Sequence, residues 1–169
     1  DGWADIYVAR IGRNALYLNN GDGTFSDATE SLGPAVARWT TSCLIADLDG
    51  DGNSDLLDVN YLTGDGVFTN LCNYRGHRRA CFPGKFASER DDLWVNAGDA
   101  TFRLAEELGS GFSDDPRPGL GTVAADFDES GKLSVFVAND SLANWYYRLE
   151  REEDSSLVVR DSAGLQGLR

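Results

Sequence analysis

The stretch Asp47-Leu48-Asp49-Gly50-Asp51-Gly52-Asn53-Ser54-Asp55 decides how this chain folds. Its aspartates stand at relative positions 1, 3, 5 and 9, and its glycines at positions 4 and 6. Carboxylates this close repel one another unless a cation lies between them, and Ca²⁺ takes six to eight oxygen ligands at about 2.3–2.6 Å. The glycines permit the tight backbone that points these oxygens inward, and position 7 would contribute its main-chain carbonyl. The predicted calcium ligands are Asp47, Asp49, Asp51, Asn53 and Asp55.

An EF-hand is the main alternative for this metal motif, because Asp58 falls at position 12 of the frame. An EF-hand has a bidentate glutamate there and an amphipathic helix on either side. Residues 56–61, Leu-Leu-Asp-Val-Asn-Tyr, instead have the composition of a strand. A solvated acidic turn without metal is a second alternative, and it does not explain why the motif recurs. We therefore favour a calcium loop between two strands.

The same frame recurs at residues 126–134 with fewer charged ligands. Serine replaces aspartate at positions 5 and 9, so we expect weak calcium binding or none. The candidate ligands of this loop are Asp126, Asp128, Ser130, Lys132 and Ser134. The chain also opens on a match to positions 5–9 of the frame, with candidate ligands Asp1, Trp3 and Asp5. Because the first half of that loop is absent, we expect the chain to be cut from a longer polypeptide.

A second pattern, typical of β-hairpins, alternates with the loops. Residues 14–25 end in Asn-Gly-Asp-Gly-Thr-Phe, and the pattern returns at residues 92–102 and, in worn form, at residues 144–159. Alternating apolar and polar residues around a Gly-Asp turn predict paired strands. Position 9 of the frame recurs at residues 5, 55 and 134, with an insertion between residues 60 and 92. A repeat of about 50 residues with four short strands is typical of a propeller blade.

These motifs together resemble the FG-GAP/VCBS repeats found in integrin α-chain propellers and in many bacterial extracellular proteins. The closer resemblance is to the group similar to cartilage acidic protein, often joined to an ASPIC/UnbV domain. Members of that group have a cysteine-bearing insertion before a Leu-Tyr-x-Asn strand, as here with Cys72…Cys81-Phe82-Pro83 before Leu93-Trp94-Val95-Asn96. Residues 137–141, Val-Ala-Asn-Asp-Ser, followed by Asn144, are also similar. The resemblance implies an all-β propeller with calcium in its loops.

We expect an all-β segment of about three four-stranded blades. Residues 1–34 form a partial blade, residues 35–108 a blade with the insertion 61–91, and residues 109–169 a degenerate blade. In the last unit we predict strands 121–125, 135–139, 144–149 and 157–161, and a charged, solvated turn at residues 148–153. Three blades do not close a ring, because propellers have about four to eight. We therefore expect the remaining blades of a parent propeller as partners.

The charge of the chain excludes some partners. With 15 basic and 28 acidic residues, its net charge is −13, which repels phosphate backbones and anionic lipid. No apolar run approaches the ~18 residues of a membrane span. We therefore expect neither nucleic-acid binding nor membrane insertion, and we predict an extracellular or periplasmic, secreted protein.

The cysteines and the insertion add two further expectations. We expect a disulfide between Cys72 and Cys81, which implies an oxidising compartment, whereas Cys43 lies in an apolar run and reads as a buried free thiol. Within the insertion, the arginines at 75, 78 and 79 either bind a carboxylate, a sulfate or an acidic glycan, or form a solvated turn paired with nearby acids. His77 is the only histidine, and no nucleophile motif accompanies it.

The predicted function is that of a calcium-stabilised, non-catalytic module for protein or glycan recognition and adhesion. The alternative is a non-catalytic scaffold domain of a secreted enzyme that processes polysaccharide or protein. Among the aromatic residues, recurrence at one hairpin position, Tyr17, Trp94 and Tyr146, predicts packing between blades. Trp39 lies outside this pattern and is the candidate for a ligand-facing ring.

Overall fold

The computed structural model describes residues 1–34, 36–98, 101–105, 115–151 and 157–163. In these ranges the chain is all-β, as predicted, and its paired strands are antiparallel. Among the described residues, 3₁₀ turns at Thr29–Leu32 and Pro83–Lys85 lie between strands. The strands are β1 Ile6–Val8, β2 Ile11–Gly12, β3 Ala15–Asn19, β4 Phe25–Asp27, β5 Arg38–Ala46, β6 Asp55–Asn60, β7 Leu62–Thr63, β8 Leu71–Tyr74, β9 His77–Ala80, β10 Ala87–Ser88, β11 Asp92–Asn96, β12 Phe102–Leu104, β13 Gly119–Ala125, β14 Ser134–Asn139, β15 Trp145–Arg151 and β16 Leu157–Asp161.

Most of the strands form three sheets that follow one another along the chain. The first sheet has the order β1-β3-β4, the central sheet β12-β11-β6-β5-β2, and the third sheet β13-β14-β15-β16. Two short pairs, β7 with β10 and β8 with β9, belong to the insertion. The four strands of the third sheet were all predicted, although β13, β14 and β15 differ from the expected bounds by one or two residues at their ends.

The central sheet is covered on both faces, which explains why every residue of β6 is buried. Side chains alternate between the faces of a strand. Leu57 and Val59 therefore pack into one core with residues of the third sheet, including Val135 and Val137. Leu56 lies on the opposite face, in a second core with Leu16 of the first sheet. The sheets thus stack face to face.

Close backbone packing joins the central and third sheets where β13 runs beside β5. The Thr41 hydroxyl donates to the carbonyl of Gly119 at 2.8 Å. A Cβ atom built on Gly119 would lie 2.3 Å from Cγ1 of Val59. The position therefore requires a glycine for space, because even one methyl group would overlap a buried side chain.

Two sequence-based expectations in the third unit are wrong. Residues 148–151 do not form a charged turn; they continue β15, and Leu149 is buried in the core because its side chain faces the central sheet. Residues 152 and 153 lie outside the described residues. The second wrong expectation is the recurrent aromatic position of the third unit, which strand register places one residue later than predicted. Tyr17 pairs with Ile6, Trp94 with Leu56 and Tyr147 with Val135, so Tyr147, not Tyr146, is the counterpart of Trp94.

Candidate metal centre

The acidic loop at residues 47–54 connects β5 and β6, at one end of the central sheet. Both flanking segments are strands, which rules out the helices of an EF-hand at this site. The Asp47 carboxylate accepts backbone N–H bonds from Gly50, Asp51 and Gly52 at 2.8–3.1 Å. Gly50 and Gly52 have φ values of 80° and 93°, a left-handed conformation that glycine adopts at little cost. The hydrogen bonds to Asp47 and the conformation of the two glycines together wrap the loop around the Asp47 carboxylate.

Three carboxylates converge inside this loop. One carboxylate oxygen each from Asp47, Asp49 and Asp55 lies within 4.8 Å of the others. Asp55 is fully buried and is held from two directions, because its oxygens accept the N–H groups of Leu48 and Asn96 at 3.0 Å. Clustered carboxylate oxygens are the ligand set that suits a hard cation such as Ca²⁺. The arrangement can therefore hold a divalent ion.

The other two predicted ligands of this loop are placed differently. Asp51 does not belong to the converging group; its carboxylate accepts the N–H of Asn53 at 2.8 Å and contacts Arg151 at 3.2 Å. Asn53 is half-buried beside it. The predicted set of five is therefore brought into one loop, with three of its carboxylates gathered and Asp51 turned toward an arginine.

Arg151 is the residue at this site that sequence analysis missed. It lies on β15 of the third sheet, 100 residues or more from the loop, and its guanidinium bonds to both Asp49 and Asp51. A buried carboxylate favours protonation, and burial raises the pKa of Asp49 above its ordinary value although Arg151 acts in the opposite direction. Only a sequence signal linking distant strands could have identified this pair, since local spacing carries no such information.

The loop at residues 126–134 has the same backbone geometry as the first. Asp126 accepts the N–H groups of Ser130 and Gly131 at 3.0 and 2.7 Å, as Asp47 accepts those of Asp51 and Gly52. Glu129 takes the place of Gly50 and has a φ of 59°. A non-glycine residue in this region indicates that the loop conformation is imposed by its surroundings. The shape of the loop is therefore kept although ligands are missing.

The ligand set of this second loop is reduced as the sequence indicated. Ser134 is buried at position 9 and offers a hydroxyl instead of a carboxylate. Asp128 is paired with Arg148, whose guanidinium supplies a positive charge at the loop. Lys132 donates its N–H to the Ser130 hydroxyl at 3.4 Å. The ligand positions of this loop therefore hold two carboxylates, and one of them already has a cationic partner.

The amino-terminal segment keeps the position-9 interaction of the frame. The Asp5 carboxylate accepts the N–H of Asn19 at 2.9 Å, as Asp55 accepts that of Asn96. Asp1 accepts the N–H of Trp3 at 2.9 Å, and both residues are exposed. The position-9 aspartate therefore ties the loop to the asparagine that ends the next hairpin strand.

The asparagine at the end of the hairpin strand, Asn19 or Asn96, recurs in the sequence patterns. Sequence analysis did not assign it a role. Asn19 and Asn96 each donate a side-chain N–H to the carbonyl before the aspartate, at 3.0 Å, and each accepts the N–H two residues on at 2.9 Å. In the third sheet the register places Leu149 at the corresponding position, opposite the region of Ser134. The aspartate and its asparagine are thus lost together in the degenerate loop.

Buried acids also lie apart from the loops, and two of them, Asp58 and Asp92, line a small cavity between the first and central sheets. Asp58 accepts hydrogen bonds from the Tyr7 hydroxyl at 2.8 Å and from the Trp94 indole at 2.9 Å, so it is a structural acceptor and not an EF-hand ligand. Burial raises its pKa to about 6. Burial likewise raises the pKa of Asp91 to about 8, while Asp92 is paired with Arg38. Burial in this group therefore favours the protonated, neutral form of Asp58 and Asp91.

The remaining predicted residues are placed as follows. Cys72 and Cys81 form the expected disulfide, and Cys43 is a half-buried free thiol. His77 is exposed on β9. Trp39 packs against Tyr61 and Phe68 with ring centroids 4.9 and 4.8 Å away, which makes it one wall of a groove beside the insertion. In the part of the chain that the structure describes, no helix is long and apolar enough to cross a membrane.

Comparison with known protein families matches the first third of the chain. A sequence model described as an FG-GAP-like repeat matches residues 1–57. The match spans the first sheet, β5 and the loop at residues 47–54, so it contains the three gathered carboxylates. An FG-GAP-like repeat together with stacked antiparallel sheets makes this all-β chain a β-propeller segment. A search of curated proteins finds no match to the chain.

Proposed function

We propose that this chain is a calcium-stabilised propeller module of an extracellular or periplasmic protein, and that it serves protein or glycan recognition or adhesion without catalysing a reaction. The observation that carries the proposal is the convergence of Asp47, Asp49 and Asp55 within 4.8 Å, inside a loop whose backbone is already wrapped around one of them. The FG-GAP-like match over the same loop supports it. The candidate cofactor is Ca²⁺.

The ion would act on folding through Asp55. This carboxylate is bonded to the loop through Leu48 and to β11 through Asn96, so a cation at the loop also fixes the junction of two strands. Without a cation, three negative charges stand close together and repel each other. Because the ligands are gathered only in the folded chain, the free energy of calcium binding becomes free energy of folding.

The proposed extracellular location is consistent with calcium sites of low affinity. Extracellular modules bind Ca²⁺ with dissociation constants of about 10⁻⁴–10⁻³ M, which are useful only where calcium is millimolar. A disulfide such as Cys72–Cys81 persists in the same oxidising compartments. Both features favour a secreted protein.

We assign the chain to the group similar to cartilage acidic protein, because the insertion and residues 137–144 resemble that group. We place three blades at residues 1–34, 35–108 and 109–169, with the insertion at 61–91. Propellers close with about four to eight blades, so the partners of this module include the remaining blades of a parent ring. The loop at residues 126–134 contributes shape and little calcium affinity.

The proposal is tested by measuring thermal stability in millimolar calcium and in chelator. At free calcium tenfold above the dissociation constant, the ion stabilises the fold by about 1.4 kcal/mol, or about 3–6 °C for a chain of this size. Asp49→Ala, which removes one of the three converging carboxylates, should lower the melting temperature more in calcium than in chelator. Asp65→Ala removes the same charge from an exposed loop and is the control.

Calorimetric titration provides an independent readout. We expect heat of binding at millimolar Ca²⁺ for the wild-type chain and less for Asp49→Ala. The proposal is wrong if the wild-type protein gives no binding heat and melts at the same temperature with and without chelator. Equal losses for Asp49→Ala in both conditions would remove that residue from the ligand set.

A further inference from the structure

The insertion carries a hairpin that stands apart from the folded body. Its strands, β8 and β9, pair with each other and with no other strand in the described part of the chain. We call residues 71–80 the basic hairpin. Apart from the half-buried Cys72, its residues are exposed. The disulfide to Cys81 closes it at its base. Because it buries so little, this hairpin contributes little to the cores and its sequence is free to serve another role.

The charge of this segment is opposite to that of the rest of the molecule. Residues 66–88 contain four basic residues and no acidic one, whereas the remaining sequence holds 11 basic and 28 acidic residues. The basic hairpin itself carries three arginines and one histidine within five positions. A local positive charge on a strongly acidic protein attracts anions at short range only, since the body repels them at longer range.

The three arginines are not neutralised by the protein. No side chain of Arg75, Arg78 or Arg79 forms an ion pair or donates a hydrogen bond to any residue that the structure describes. Elsewhere arginines are paired with carboxylates, as in Arg13 with Glu30 and Arg117 with Asp115. The hairpin is exposed to solvent, and the described residues place no acid within ion-pair distance of its arginines.

Tyr74 organises two of these guanidinium groups. The Cζ atoms of Arg79 and Arg75 lie 4.0 and 5.4 Å from the centroid of its ring, at distances typical of cation–π contacts. Cross-strand register places Tyr74, His77 and Arg79 on one face of the hairpin. Arg78 falls on the other face, opposite Asn73. Positive charge is therefore presented on both sides of a thin, two-stranded element.

The turn of the basic hairpin is built at a conformational cost. Arg75 and Gly76 have φ values of 52° and 82°, the pattern of a two-residue hairpin turn that favours asparagine followed by glycine. Arginine is uncommon in the left-handed region, so asparagine would suit the turn better. Residues in such sparsely populated backbone conformations cluster at functional sites.

We propose that the basic hairpin binds an anionic polysaccharide through the guanidinium groups of Arg75, Arg78 and Arg79, with sulfate or carboxylate groups of the polymer as the ligands. Guanidinium pairs with such groups in a bidentate manner. A flexible linear polymer reaches both faces of the hairpin, whereas a flat acidic protein surface meets only one. This inference rests on the proposed extracellular recognition function.

The test measures binding of the disulfide-intact chain, in constant calcium, to four immobilised polymers. Heparin carries sulfate and carboxylate groups, alginate carries carboxylates only, dextran is neutral, and poly-L-glutamate is an acidic peptide. We expect binding to heparin or to both acidic glycans, weaker binding to poly-L-glutamate and none to dextran. Binding to both alginate and heparin would show that carboxylate groups are sufficient for binding. Binding to heparin alone would show that sulfate groups are needed. Affinity should fall as salt rises.

Variants of the hairpin identify the binding groups. Arg78→Ser with Arg79→Ser should weaken glycan binding about tenfold or more, and the corresponding double lysine variant should retain only part of it. Arg103→Ser with Arg160→Ser removes the same charge from exposed strand positions and should bind as the wild type does. An equal loss in the control pair, or stronger binding to poly-L-glutamate than to either glycan, overturns the proposal.

The same samples separate this inference from the proposed calcium function. Melting in calcium and in chelator reports on the loop at residues 47–54 and should be unaffected by the hairpin variants. If calcium stabilises every variant but no glycan binds, the hairpin proposal fails and the calcium function stands. If glycan binding depends on the arginines while chelator has no effect on melting, the calcium function fails and the hairpin proposal stands.

Discussion

Replacement of Asp91 by asparagine should stabilise this protein, and the gain should grow as the pH rises from about 5 to 8. Asp91 is buried just before β11 and accepts the backbone N–H of Asn60 at 2.9 Å. Its pKa is raised from 3.8 to about 8, first because burial removes the charged form from water and then because of the charges of Asp92 and Asp58. The folded chain therefore holds this proton at pH values where the unfolded chain has lost it.

The sign and size of the effect follow from this difference. Between the unfolded pKa of 3.8 and the folded pKa of about 8, folding takes up a proton, so stability falls with rising pH by up to about 1.4 kcal/mol per pH unit. From pH 5 to pH 7 this amounts to about 2–3 kcal/mol for one group. Asparagine does not titrate and keeps an oxygen that accepts the Asn60 N–H. The fall in stability that the wild-type protein shows as the pH rises should therefore be absent from Asp91→Asn.

The assay is denaturant unfolding followed by tryptophan fluorescence at several pH values, with free calcium held constant. The informative quantity is the difference in unfolding free energy between Asp91→Asn and the wild type, because carboxylates common to both proteins cancel. Asp65→Asn, at an exposed loop position, makes the same charge change and should give a small difference that varies little with pH. A difference for Asp91→Asn that is constant with pH, or that shrinks as pH rises, refutes the argument from buried charge.

Two further predictions concern contacts between the sheets. Arg151→Ala should lower the melting temperature in chelator, because the carboxylates of the calcium loop lose their cationic partner, and should tighten calcium binding several-fold because a competing charge is gone. Calorimetry with Arg160→Ala as control checks this, and an unchanged calcium affinity would contradict it. Gly119→Ala should cost about 1–3 kcal/mol, since its Cβ would overlap Val59. Gly121→Ala, with nothing within 4 Å, should be nearly neutral, and similar losses for both would argue against close packing there.

Features that depend on neighbouring residues were predictable from the sequence. The spacing of aspartates and glycines fixes a loop because the carboxylate at position 1 bonds to N–H groups three to five residues later. Strands followed from two-residue alternation. The disulfide between Cys72 and Cys81 was predictable because only eight residues separate the two cysteines. Each of these features is determined within a few residues of chain.

Features that depend on packing between sheets were not predictable in the same way. The charged run at residues 148–151 was taken for a turn, yet it continues a strand because Leu149 fills the core and Arg151 reaches the calcium loop. The counterpart of Trp94 was misplaced by one residue, since register is set by the partner strand.

The sequence by itself determined where the acidic loops lie, which residues alternate as strands and which cysteines pair. The tertiary structure decided which carboxylates of a loop converge and that Arg151 meets Asp49 across two sheets. It also decided that the arginines of the basic hairpin have no acidic partner among the residues that the structure describes. The physical reason is the separation along the chain of the residues that each feature requires. Loop geometry and strand pattern are fixed by backbone conformation and short hydrogen bonds, whereas charge pairing and burial depend on distant segments that only the packed sheets bring together.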